Sequence, residues 1–174
     1  RLDFFVWGLI PSWAKDPEIG NRMINARAET LAEKPSFRTA FKRRRCLILA
    51  DGFYEWRQEP GQRSKTPIYL KMKSGKVFGF AGLWDLWNSP DGSKILSCTI
   101  ITTAPNALVQ DIHNRMPVIV PSDAYSTWLE PQEVDVNSLQ SILRPYPAEE
   151  MMAFPVSRLV NSPANESAEC ILPA

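Results

Sequence analysis

The chain is poor in the residues on which most site chemistry relies. Of its 174 residues only one is histidine, His113, and three are cysteine: Cys46, Cys98 and Cys170. An odd number of cysteines at wide spacings fits a reducing compartment better than a disulfide framework. There is no Cys-x-x-Cys, so the usual four-ligand zinc sets would need scattered carboxylates. Neither a metal nor a cofactor is expected. No apolar run approaches the ~20 residues of a membrane span. The first ten residues do not read as a signal peptide, since Asp3 and a Trp-Gly pair interrupt them. The chain opens on Arg rather than Met, so its natural N-terminus is expected to lie outside the given residues. There is no repeat, no low-complexity tract and no clear linker, and the net charge of +1 gives no global pull towards nucleic acid.

What is present suits a globular protein. Hydrophobic residues make up 44% and charged residues 22%, at a length that fits one domain, 1–174, with a substantial core. Val6 to Trp13 reads as a short buried strand, and Pro35 to Arg44 as a helix opened by proline. Cys46 to Ala50 is a continuous apolar run, and Asp51-Gly52 turns the chain into a strand from Phe53 to Arg57. Lys73-Ser74-Gly75-Lys76 predicts a hairpin joining Ile68–Met72 to Val77–Trp84. Ile95 to Thr103 is β-branched and predicts a strand. Pro105 opens a short helix towards Asp111, Ser122 and Asn137 are caps for two more, and Met151 to Val156 closes the series. The pattern predicts an α+β fold: an antiparallel, barrel-like β-sheet core with a few peripheral short helices.

Two features carry chemistry. Glu55 lies in Gly52-Phe53-Tyr54-Glu55-Trp56, and a carboxylate among large aromatics loses hydration, which raises its pKa towards neutrality and suits it to proton transfer. Its alternative is a strand-edge carboxylate with its head in water. Lys42-Arg43-Arg44-Arg45 is a run of four cations that can neutralise phosphates. It can equally be a helix end that places cations at the negative pole of the helix dipole.

Four segments, in order along nearly the whole chain, resemble the SOS response-associated peptidase (SRAP) family. They are Trp7 to Trp13, Asn25 to Thr30, Arg45 through Trp56, and His113-Asn114-Arg115-Met116-Pro117; the tail Leu159-Val160-Asn161-Ser162-Pro163 is similar too. The resemblance implies a protein that binds single-stranded DNA at abasic sites. An N-terminal cysteine, exposed by Met removal, attacks the opened sugar's aldehyde through amine and thiol and closes a thiazolidine ring. The same cysteine is implied in self-processing peptidase activity, with lyase-like chemistry beside it. None of the three cysteines here can be that residue. Glu55 corresponds to an acid-base glutamate, His113 to a histidine that protonates the sugar-ring oxygen, and Asn25 to an asparagine that orients the reacting groups. Arg27 and Arg115 would grip phosphates, Trp13 and Trp56 would stack on bases, and Thr102 and Thr103 would donate hydroxyls to the DNA backbone. The resemblance further implies a monomer that needs no membrane, cytoplasmic in a bacterium and nuclear in a eukaryote.

Two other classes are open on sequence. A thiol hydrolase would pair Cys98 or Cys170 with His113. A non-catalytic single-stranded DNA module would rely on the basic run and aromatics alone.

Overall fold

Ten strands and three short α-helices are found along residues 2–174, the part of the chain that the computed structural model describes. They are β1 (Val6–Trp7), β2 (Asn25–Arg27), α1 (Arg38–Arg43), β3 (Arg45–Ala50), β4 (Gly52–Arg57), β5 (Thr66–Met72), β6 (Phe78–Asn88), β7 (Lys94–Thr103), β8 (Met116–Pro117), β9 (Ile119–Val120), α2 (Tyr125–Leu129), α3 (Val136–Ile142) and β10 (Met151–Pro155). The chain divides into two compact units. The first comprises Arg1–Ile48, Gly79–Thr103 and Pro117–Pro145; the second comprises Leu49–Phe78, Ala104–Met116 and Tyr146–Ala174.

The first unit is organised on β6 and β7, a long antiparallel pair joined by the turn at Asn88–Gly92. β1 and β2 both lie parallel to β7, one after the other along its edge, with Val6 opposite Ser97 and Arg27 opposite Thr102. Leu9, Phe41, Leu83, Ile101 and Trp128 are completely buried in its core, and the Trp128 indole N–H donates to the Cys46 carbonyl at 2.8 Å. That bond lets the large ring be buried without stranding its polar atom. Gly8 has a φ of +123°, and a Cβ there would come within 2.6 Å of the Gly20 carbonyl oxygen. Only glycine fits both the conformation and the approach.

The second unit carries a three-stranded antiparallel sheet in the order β10-β5-β4. Its aromatic side chains interlock: the rings of Tyr54 and Tyr69 lie 5.2 Å apart and those of Tyr69 and Phe154 5.8 Å apart. Gly52 lets the chain pass over this cluster, because a Cβ there would sit 2.3 Å from the Tyr69 ring. Gly52→Ala is therefore expected to cost about 1–3 kcal/mol through overpacking. At this size each kcal/mol lowers Tm by about 2–4 °C, which a thermal melt will resolve.

Several expectations need correction. The α+β class holds, but the sheets are not purely antiparallel, and among the described residues the hydrogen-bonded strand order closes neither sheet into a barrel. The hairpin across Lys73–Lys76 does not form: β5 pairs with β4 and β10, while β6 pairs with β7 and β9. A tight turn is present, with Gly75 at φ 69°, but the strands on either side join different sheets. The expected buried strand at Val6–Trp13 is two exposed residues long. The segment after Pro105 is hydrogen-bonded turn rather than helix, and Asp135, not Asn137, caps α3 by accepting from the Ser138 N–H.

Candidate active site on strand β4 and the His113 turn

Strand alternation decides what Glu55 faces. In β4 the rings of Tyr54 and Trp56 lie 6.4 Å apart, and Glu55 projects to the opposite side with Ile68 as its cross-strand neighbour. Its carboxylate is 3.8 Å from Nδ1 of His113. Burial pushes the Glu55 pKa above the ordinary carboxylate value. The His113 ring, a backbone hydrogen bond from Trp56 and the charge of Lys65 oppose that shift without cancelling it. The carboxylate side chain is 22% exposed and the imidazole 41%, so the pair is sheltered yet open to a reactant.

His113 is held by its own turn. Its backbone N–H donates to the Val109 carbonyl at 2.9 Å. Nδ1 lies 3.2 Å from the Arg115 backbone N–H and 3.0 Å from the Arg115 carbonyl oxygen. The Arg115 backbone can thus donate to a bare Nδ1 or accept from a protonated one, so the ring keeps its place in either charge state.

The remaining sequence-derived residues fall in both units. Trp56 and Arg115 join Glu55 and His113 in the second. The Trp56 indole N–H donates to the Asn161 side-chain oxygen at 2.8 Å, which fixes the half-exposed ring. The Arg115 Nε is buried. In the first unit, Asn25 and Arg27 are exposed at the two ends of β2, with buried Ala26 between them. The Thr102 hydroxyl donates to the Ala26 carbonyl at 3.5 Å. Thr103 is 5% exposed and its hydroxyl donates to the Leu143 carbonyl, so the structure places that group in the interior rather than on a DNA-facing surface. Trp13 is 59% exposed on a loop pinned from beneath: Ser97 Oγ accepts the Ile10 N–H, Asp85 Oδ2 accepts the Ser12 N–H, and the Trp87 indole donates to the Ala14 carbonyl.

The basic run is absorbed by the fold. Lys42 and Arg43 pair with Glu133, Arg44 pairs with the buried Asp85, and Arg45 is buried. This is the helix-end alternative, and it removes the main support for a DNA module built on these cations. The cysteines do not favour a thiol hydrolase either. Burial pushes the Cys46 thiol up to about 12 and the Cys98 thiol up to about 11, far from thiolate formation at neutral pH. Cys170 contacts the Asn165 carbonyl and Ser167 Oγ, and among the described residues no cysteine sulfur is hydrogen-bonded to His113. An alkylating reagent at neutral pH is expected to leave Cys46 and Cys98 unmodified in the folded protein and to label both in denaturant, as read by intact mass.

Sequence reasoning missed Lys65 and Asn161. Lys65 belongs to a polar loop, and only the pairing of Arg57 with Thr66 brings that loop back towards Glu55. Asn161 was noted only as part of a familiar tail, and its role emerges from a contact 105 residues away.

A sheltered carboxylate beside an imidazole is an arrangement able to move protons in general acid–base fashion. Residues 1–163 match the family described as SOS response associated peptidase (SRAP), and the chain belongs to that family. It is 54% identical over 172 residues to the abasic site processing protein YoqW of Bacillus subtilis, an alignment covering 98% of this chain and 76% of that protein. It is 34% identical over 197 residues to the abasic site processing protein HMCES of Rattus norvegicus, covering 97% of this chain and 55% of that one. Among solved structures, a Bacteroides thetaiotaomicron protein superposes with a TM-score of 0.90 at 33% identity, covering 98% of this chain and 75% of its own.

Proposed function

We propose that this protein captures abasic sites in single-stranded DNA as a covalent adduct, with Glu55 and His113 moving the protons. The observation that carries this reading is the Glu55–His113 pair, 3.8 Å apart, in a chain whose relatives are named for abasic-site processing. A carboxylate with a raised pKa can both take and return a proton near neutral pH.

The chemistry balances as follows. The closed sugar opens when the C1′–O4′ bond breaks: O4′ takes a proton from the His113 imidazolium, and the C1′ hydroxyl gives its proton to water and becomes the aldehyde. An N-terminal ammonium loses a proton to Glu55, and its amine adds to the aldehyde carbon. Glu55 returns that proton to the new hydroxyl, which leaves as water, and the iminium left behind gives its N–H proton to Glu55 to become an imine. The thiol of the same residue adds across the imine, sulfur to carbon and proton to nitrogen, closing a thiazolidine. Cys46, Cys98 and Cys170 cannot do this, since their nitrogens are in peptide bonds; the nucleophile in this proposal is the N-terminal cysteine that the family resemblance implies. Asn25 is assigned to orientation and Arg27 and Arg115 to phosphates, while Trp13 and Trp56 stack on bases. Self-processing peptidase activity would use the same cysteine.

The test uses protein expressed with its natural N-terminus and a strand bearing one abasic site, beside an intact strand, on a denaturing gel. A shifted band with the abasic strand alone is expected. No shifted band, with native-gel binding intact, would overturn covalent capture.

A further inference from the structure

We infer that Asn106 is the positioning residue for His113, setting the orientation and the tautomer of the imidazole through a relay of hydrogen bonds along residues 106–115. Its place in the reaction rests on the function proposed above; the positioning does not.

The relay can be followed bond by bond. The Asn106 side-chain oxygen accepts the backbone N–H groups of Leu108 at 3.1 Å and Val109 at 3.0 Å. Its amide nitrogen donates outward, to the Tyr146 carbonyl at 2.6 Å and the Met151 sulfur at 3.5 Å. Its backbone N–H meets the Met116 sulfur at 3.3 Å. The side chain therefore clamps the start of the turn to the segment entering β10. Val109, thus fixed and completely buried, accepts the N–H groups of Ile112 at 2.8 Å and His113 at 2.9 Å on its carbonyl. His113 Nδ1 in turn accepts the Arg115 N–H. A neutral ring that accepts there carries its proton on Nε2, and a protonated ring donates from Nδ1 to the Arg115 carbonyl at 3.0 Å, so that the imidazolium presents its Nε2–H as the acid. The Asn106 side chain thus holds the start of this turn and the His113 ring its end.

His113 is the single histidine of the given 174 residues, so imidazole nitrogen resonances from this part of the protein can come only from it. In the parent protein the amide protons of Leu108, Val109, His113 and Arg115 are expected to exchange slowly and as one group. In its neutral form the ring is expected to show one sharp Nε2–H tautomer. Asn106→Ala should give a tautomer mixture. It should also slow capture at saturating abasic strand by about 10–100-fold, with the half-saturating strand concentration unchanged. Asn106→Ser, which keeps the oxygen acceptor, should restore the parent tautomer. A folded Asn106→Ala with the parent's ring spectrum would overturn the inference. If that variant does not fold, unprotected exchange at Val109 or Arg115 in the parent does so instead. If the parent captures no DNA, the functional reading fails, while the ring spectra and the exchange data still decide the positioning.

Discussion

Glu55→Gln is expected to slow covalent capture of an abasic strand by about 10²–10⁴-fold, the usual contribution of a positioned general acid–base group, while raising Tm at neutral pH. The two effects have one cause. Burial of the carboxylate is the dominant influence on its pKa, and it outweighs the favourable charges of His113 and Lys65 and the Trp56 hydrogen bond. A carboxylate whose folded-state pKa is raised gives its full stability below the unfolded pKa of about 4.3 and loses it as pH rises through the folded value. At neutral pH the folded protein therefore carries a charge it would be more stable without. Glutamine keeps the shape and removes the charge, so the Tm advantage should be present at pH 7 and shrink to nothing by about pH 4. Melts across that range, beside single-turnover capture rates, check both halves. A capture rate equal to the parent's takes Glu55 out of the chemistry. A Tm gap that persists at low pH would mean that ionisation is not its origin.

The Glu55 environment shows how far local sequence reaches. A raised pKa agrees with the setting among aromatics, yet Tyr54 and Trp56 lie on the far side of the strand, and of the three flanking rings only Phe53 shares the face of Glu55. β7 and the turn before it were legible because β-branched composition and a Pro-Asp-Gly turn are local signals. The partners of β5 and β6 were not, because a turn signal specifies a reversal of the chain without specifying which strands then pair. The parallel pairing of β1 and β2 with β7 crosses more than 70 residues, and no local pattern encodes it. The site residues split in the same way. Glu55, His113 and Trp56 stand out by type and setting, whereas Lys65, Asn106 and Asn161 gain meaning only from contacts made by the folded chain.

The cation run gives the sharpest separation between sequence and structure, and it leads to the second large expected effect. Arg45→Met should cost about 3–5 kcal/mol, against a total stability of about 5–15 kcal/mol for a domain of ordinary size. The Arg45 guanidinium donates to five backbone carbonyls: Trp128 at 2.9 Å through Nε, Phe41 at 2.8 Å and Lys42 at 2.5 Å through Nη1, and Glu130 and Gln132 through Nη2. Phe41 and Lys42 lie in the last turn of α1, Trp128 lies in the last turn of α2, and the other two belong to the connection that follows it. One fixed cation thus satisfies the orphan carbonyls of two helix ends and meets the negative pole of each. Methionine fills the space but leaves those carbonyls without a donor. Arg43→Met should behave oppositely. Its pair with Glu133 is exposed, at 67% and 48%, and such pairs are worth about 0–1 kcal/mol. Denaturant titrations of the two variants will show whether the loss is confined to Arg45. Strand binding by Arg43→Met, measured at low and moderate salt, should stay within about twofold of the parent with an unchanged salt slope. A clear fall in affinity with a shallower slope would return the run to the DNA-binding surface and undo its assignment to the scaffold.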